Sequence, residues 1–405
     1  MAQGETHVCQ PCLKNGHQNS PPNQILSHEV EAGDYLKAAI LYNYKEEPPY
    51  NLKIEDVKID KPKAGEVLIR VVAAGICHSC LHAIHGTLPY PSLPFILGDE
   101  FVGYVEEVGP GVSRVDVGDM VVTTWVWPCG KCRWCLTGKE HLCPTYLLSI
   151  GGGVMLDGTT RISLPDGGPV YVYGGLGGYA EYAVVPELAV HPLPPELRKE
   201  SSAILGCAAQ TAAGAVMNTA KLMFGESVAI FGLGGLGLIA LQISKALGAY
   251  PVIGVDIIDE KLKIAKELGA DIVINAREKD SVKGIRKITN GGVDVAFEFI
   301  GLSETISNAI NSVKRGGRVV IVGVTPVGAT IPIHMARVVG FGLQILGNYG
   351  GRPRIDLPVV FELIKRGLVN IDKLVTGKYR LEQINEAFED LEKGKILGRS
   401  ILVFK

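Results

Sequence analysis

The run VAIFGLGGLGLIALQISKALG (228–248) sets Gly232, Gly234 and Gly237 between a strand-like apolar stretch and a helix-like one. This feature constrains the fold most, because strand, glycine turn and helix in that order build a parallel, doubly wound sheet that takes a dinucleotide. Gly232 permits the tight turn, Gly234 lets a pyrophosphate approach the backbone, and Gly237 allows close packing of helix on strand. The free N–H groups and positive dipole end of the helix then face the phosphates. Gly235 and Leu236 complete the loop. Asp256 ends the next strand-like run, 24 residues after Gly232. A carboxylate there accepts from a ribose diol and repels a 2′-phosphate, which favours NAD(H) over NADP(H). Lys261 weakens that preference and leaves NADP open.

Six apolar runs continue this grammar: VAIF (228–231), PVIGVD (251–256), DIVIN (271–275), VDVAFEFIG (293–301), RVVIVGV (318–324) and LQILGN (343–348). Helical patterns such as DEKLKIAKELGA separate several of them, so residues 209–348 read as a Rossmann domain of α/β class. Upstream, GEVLIRVVAAGICH, GDEFVGYVEEVG, GDMVVTTWVW and YAEYAVV are short runs between glycine turns. They predict a β-rich, partly closed barrel over 36–208. Residues 349–405, with helix-like INEAFEDLEKG and a final strand RSILVF, are expected to return to that first domain. Residues 1–35 read as a polar extension; it carries His7, Cys9, Cys12 and His17, a set able to bind a metal.

With 405 residues the chain suits two domains, and a net charge of −2 gives no footprint for nucleic acid or an anionic membrane. No apolar stretch is long enough for a membrane span, and the N-terminus has no h-region of a secretory signal. All nine cysteines lie within the first 207 residues. Without an export signal, metal binding or catalysis is expected of them rather than a disulfide framework, together with a cytoplasmic location.

Four of those cysteines, Cys129, Cys132, Cys135 and Cys143, form a C-x2-C-x2-C-x7-C run. Four thiolates at this spacing close a tetrahedral shell around Zn²⁺ with no open position, so the lobe at about 126–146 is predicted to hold a structural zinc.

The segments GICHSCLH, GDEFVGYVEEVG, the four-cysteine lobe, GGYAEYAVV, AILGCAAQTA, GLGGLG, EFIG, IVGV and RSILVF together resemble the zinc-containing medium-chain alcohol dehydrogenase family. The resemblance spans about residues 36–405. It implies a GroES-like catalytic domain joined to the Rossmann coenzyme domain, hydride transfer between an alcohol carbon and nicotinamide, and a homo-oligomer. It also implies roles. Cys77 and Cys207 match ligands of a catalytic zinc. Ser79 matches the hydroxyl that meets the substrate oxygen, and His82 the far end of a proton relay. His78 and Arg399 match basic residues at the pyrophosphate. Thr211, Ile300, Val322 and Val324 fall in segments that line the coenzyme, and Trp125 matches an aromatic wall of the substrate pocket.

One segment departs from the family pattern. Its G-H-E motif reads Gly98-Asp99-Glu100 here, and Cys80 stands where an aspartate usually braces the lost histidine. Ligand and brace have changed together. Asp99 could bind zinc with Cys77 and Cys207, although it is shorter than histidine and makes the shell more anionic; Glu100 could move in instead. The expectation is a catalytic zinc site that is empty or weakly held. Ser79 in place of a bulkier threonine favours a secondary or cyclic alcohol or ketone. Two alternatives stay open: a metal-free quinone or enoyl reductase, and a coenzyme-binding protein without catalysis. A Cys77–Cys80 disulfide also stays open.

Overall fold

The computed structural model describes residues 35–87, 92–325 and 328–405. The extension with His7, Cys9, Cys12 and His17 therefore lies outside the described residues.

A six-stranded sheet holds the second half of the chain. Its order is Ile272–Asn275, Val252–Asp256, Val228–Phe231, Val293–Glu298, Val313–Ile321, Gln344–Gly347, and every neighbouring pair is parallel. All six strands arise from the apolar runs named above, as expected for strands covered on both faces. Chain order reverses between Val228–Phe231 and Val293–Glu298. That switch point opens a crevice at the strand ends. Helices Gly235–Ala246 and Asp259–Glu267 follow the first two strands of the chain in this sheet.

The β-rich half divides in two. The four runs read as barrel strands enter a seven-stranded sheet instead. Strand Glu66–Ile76 lies at its centre, paired with Phe101–Val108, Tyr182–Pro186 and the C-terminal Arg399–Val403. The closed barrel is made by Tyr35–Leu41, Lys53–Ile59, Ile162–Ser163, Pro169–Val172 and Phe95–Ile96. Two of these strands have two residues each, too few for alternation to reveal them. Among the described residues no helix is long and apolar enough to cross a membrane.

Two glycines fix the crevice. Gly232 has φ +92°, and a Cβ on Gly237 would stand 1.9 Å from the Gly232 carbonyl oxygen. The first demands the left-handed region; the second allows helix and strand to touch. By contrast, a Cβ on Gly234 would meet nothing within 4 Å. Space for a ligand, not internal crowding, lies over that residue.

Candidate active site

Three chain segments converge beside the crevice. Strand Glu66–Ile76 delivers Cys77, which N-caps helix His78–His85. Asp99 and Glu100 immediately precede strand Phe101–Val108. Cys207 leads into helix Ala208–Ala213. The Cys77 and Cys207 sulfurs are 3.9 Å apart. An Asp99 oxygen lies within 4.8 Å of both, and all three residues are buried. The short aspartate thus reaches the thiols.

Asp99 is oriented by two neighbours. The Ser79 hydroxyl donates to Oδ2 at 2.8 Å, and the Cys80 thiol donates to Oδ1 at 3.5 Å. Cys80 occupies the position of the brace and still braces, now as a donor to a carboxylate. Cys77 and Cys80 are free thiols, not a disulfide.

Glu100 does not join the trio. Its Oε2 accepts from the backbone N–H groups of Cys207 and Ala208, at 2.8 and 3.0 Å. Its Oε1 accepts from Arg399 Nη2 at 3.0 Å. These bonds hold the Cys207 turn in place. The same Nη2 donates to Cys77 Sγ at 3.3 Å. A buried guanidinium must pair, and the acids gather here. The Arg399 stem meanwhile lies against the glycine loop, since a Cβ on Gly235 would be 3.1 Å from its Cδ. Arg399 therefore touches both the glycine loop and Cys77.

The charges follow from this packing. The hydrogen bond with Cys207 holds the Cys77 thiol down to about 5, with Arg399 assisting against burial. Burial, then the Cys77 charge, pushes Asp99 up to about 7. Sharing with Cys77 and burial raise the Cys207 thiol well above its ordinary value. One negative charge thus sits mainly on Cys77. Burial, then His85, lowers His82 below the usual imidazole range, so it is a neutral acceptor near pH 7. It stands three residues after Ser79, on the same helix face.

The residues fit a divalent cation: two sulfurs and a carboxylate oxygen converge, all of them types that zinc accepts. The four-cysteine lobe fits one better. All four sulfurs lie within 4.8 Å of one another, with Cys132–Cys135 at 3.5 Å and Cys129–Cys135 at 3.9 Å.

The residues at the crevice fit a dinucleotide. The Asp256 Oδ2 accepts the Leu233 N–H at 2.8 Å, and Oδ1 accepts from Ile257 and Ile258. The carboxylate so braced stands at the end of its strand, where a ribose would lie. Among the described residues the buried Thr211 hydroxyl has no partner, nor has either end of the buried Gln210 amide. Ile300 and Val324, both partly exposed, and half-buried Val322 follow the ends of two central strands. His78 is exposed on the first turn of its helix.

Trp125 is half-buried and packs edge-on against Tyr349, with centroids 4.7 Å apart at 83°. It meets Tyr146 at 6.1 Å. Tyr349 was missed in the sequence. Its phenol is pushed up by partial burial and by Cys207 and Asp99 as charged neighbours. Its position just after the last sheet strand, LQILGN, was a usable signal, because ligands in such sheets bind beyond the strand ends.

Comparison with known proteins agrees with this geometry. Residues 63–195 match the family described as alcohol dehydrogenase GroES-like domain, and 235–366 match zinc-binding dehydrogenase. The chain is 40% identical over 372 residues to an alcohol dehydrogenase of Geobacillus stearothermophilus, covering 91% of this chain and 99% of that one. It is 35% identical over 364 residues to an S-(hydroxymethyl)glutathione dehydrogenase of Paracoccus denitrificans, covering 87% and 96%. The crystal structure of benzyl alcohol dehydrogenase from Acinetobacter calcoaceticus superposes with a TM-score of 0.84 at 31% identity, covering 92% and 100%.

Proposed function

The chain belongs to the zinc-containing medium-chain alcohol dehydrogenase family, and from that premise we propose an NAD-dependent dehydrogenase of secondary or cyclic alcohols whose second zinc site is weak. That it is an oxidoreductase acting on CH–OH donors, with a small alcohol or carbonyl substrate and a nicotinamide coenzyme, follows from its relatives. The finer reading rests on one observation. Asp99 stands beside Cys77 and Cys207 in the place of a neutral ligand.

Zinc held by Cys77, Asp99 and Cys207 would polarise the substrate oxygen and lower the pKa of a bound alcohol. Two thiolates and a carboxylate leave that assembly one unit negative, so its Lewis acidity is reduced. Arg399, on Cys77 and Glu100, offsets part of the excess. Ser79 holds the hydroxyl nearest the reacting oxygen. His82, kept neutral by burial, accepts the proton that leaves along the relay. Trp125 and Tyr349 form an aromatic wall that would orient the carbon bearing the hydride. Asp256 selects NAD.

Arg399 on Cys77 also favours a second reading, a metal-free reductase of activated carbonyls, because the arginine balances a thiolate charge without a cation. Elemental analysis of zinc-replete protein, with steady-state rates on primary alcohols, cyclic ketones and quinones using NAD(H) and NADP(H), separates the readings. About one zinc per chain and NAD-dependent turnover of cyclic alcohols is expected. Two tightly held zincs per chain would overturn the weak-site reading.

The protein is further read as a cytoplasmic homo-oligomer. Strand Gln344–Gly347 is a sheet edge, and the adjacent helix Met335–Phe341 exposes Met335 and Val339. Light scattering of purified protein tests the assembly.

A further inference from the structure

A cavity of about 440 Å³ opens between strand Val190–Pro192 and helix Pro353–Lys365, and none of its lining residues belongs to the site described above. Its polar lining consists of two arginines, Arg114 and Arg354, and of His191 on the strand. Among the described residues that line it there is no carboxylate. The remainder is apolar, including Leu188, Leu357 and Phe361.

The two guanidiniums act on the same space. Burial, and then each arginine in turn, pushes the His191 imidazole down to about 3. Burial lowers Arg114 from its ordinary value; Arg354 lowers it further, and Glu187 opposes this. His191 stays neutral and shares a hydrogen-bond contact of 3.2 Å with the Thr124 hydroxyl. The balancing acids lie outside the lining. Arg354 pairs with Glu140, and Glu187 accepts from the backbone N–H of Arg114 at 2.7 Å.

We propose that this cavity binds a small organic carboxylate, its head between Arg114 and Arg354 and its apolar body on Leu188, Leu357 and Phe361. Guanidinium forks match a carboxylate in shape and charge. The volume lies within the range of small-molecule sites, and apolar walls with a few convergent polar groups are their usual composition. Arg354 already pairs with Glu140, whereas Glu187 bonds the Arg114 backbone and not its guanidinium. About one positive charge is therefore left to face the cavity, which suits a monoanion better than a phosphate dianion. The occupant would bridge a β-strand of the seven-stranded sheet and a helix that follows the coenzyme sheet.

The test is calorimetric titration of the zinc-replete enzyme with hexanoate at fixed ionic strength, beside inorganic phosphate. Wild type, Arg114→Gln and Arg114→Lys are compared. One hexanoate per chain is expected, weakened roughly tenfold or more by Arg114→Gln and partly restored by Arg114→Lys, because the arginine supplies a charge-assisted bond. Alcohol oxidation without hexanoate should be the same in all three, which also shows that the variants fold. Absence of hexanoate binding to wild type overturns the proposal. So does equal binding by Arg114→Gln, which places the carboxylate in the catalytic cleft. Tighter binding of phosphate than hexanoate would make the cavity a plain oxyanion site and overturns it equally.

Discussion

Two clusters of metal-type donors lie in this molecule, and they are built on opposite plans. The four cysteines of the lobe come from fifteen consecutive residues, are half-buried or buried, and present sulfur only. The trio of Cys77, Asp99 and Cys207 is gathered from segments up to 130 positions apart and is buried throughout. Its donors are also bound by groups that ligate nothing: Ser79 and Cys80 on Asp99, Arg399 on Cys77. A local, closed, all-thiolate set can only hold a cation. A dispersed set, hydrogen-bonded from behind, can have its charge adjusted residue by residue. On the proposed reading, the difference separates holding a loop from doing chemistry.

The largest effect should come from the lobe. On the structural-zinc reading, Cys143→Ser removes a buried thiol from a closed shell whose metal binding would contribute directly to folding. Zinc content should fall by about one per chain and melting temperature by roughly 10 °C or more. Scanning calorimetry with metal analysis checks this; an unchanged melting temperature would mean that the lobe is ornamental and the contrast false. Next comes the support of the trio. Glu100→Ala leaves Arg399 buried beside Cys77 without its carboxylate and frees the Cys207 turn. A cost of roughly 3–5 kcal/mol in chemical denaturation is expected for breaking a buried pair on one side. A cost below about 1 kcal/mol would show that Arg399 is satisfied elsewhere.

The two plans were unequally legible. The lobe can be read from spacing alone, since its ligands are neighbours in the chain. So can the crevice: strand, Gly232 to Gly237, helix and Asp256 are local patterns, and the six sheet strands arise from the six apolar runs. The short barrel strands at Phe95–Ile96 and Ile162–Ser163 could not be read, because two residues carry no period. In the trio, the family likeness named Cys77, Asp99 and Cys207 but not what each touches. Arg399 was read as a pyrophosphate contact, and its bonds to Cys77 and Glu100 depend on a tertiary return of the last strand to Glu66–Ile76. That Cys80 now donates where an aspartate would accept follows from chemistry once the distance is known. No spacing in the sequence supplies that distance.

A third change sharpens the comparison by moving the trio towards the neutral plan. Asp99→His with Cys80→Asp would replace the carboxylate by an imidazole and supply an acceptor behind it. Braces of this kind are worth roughly 10–100-fold in metal affinity. Zinc content should rise towards two per chain, and oxidation of simple primary alcohols should rise roughly tenfold. Cobalt substitution gives an independent readout, because thiolate-to-cobalt absorption should strengthen in the double variant. If neither zinc content nor the cobalt spectrum moves, the charge of the shell is not what sets its occupancy.

The smallest effect is one of pH, and its sign is fixed by Asp99. Burial raises this carboxyl to about 7, above its ordinary value of 3.8. Between those values the folded protein, stripped of metal, keeps a proton that the unfolded chain has lost. Stability contributed by the neutral group is therefore fully present below about pH 4 and is lost as pH rises through about 7. Asp99→Asn is neutral at every pH and loses nothing over that window. The variant should therefore gain on wild type as pH rises from 4 to 8, by a few degrees of melting temperature. Cys77 opposes the trend, because its thiol is held down to about 5 and its contribution grows above that pH. The two groups are coupled through the Cys77 charge, so the difference between the proteins reports Asp99 together with its effect on Cys77. The four-cysteine donor set, which contains no carboxylate, should make no such difference. A gap that stayed constant with pH would place the charge of the trio on another group and remove the electrostatic basis of the contrast.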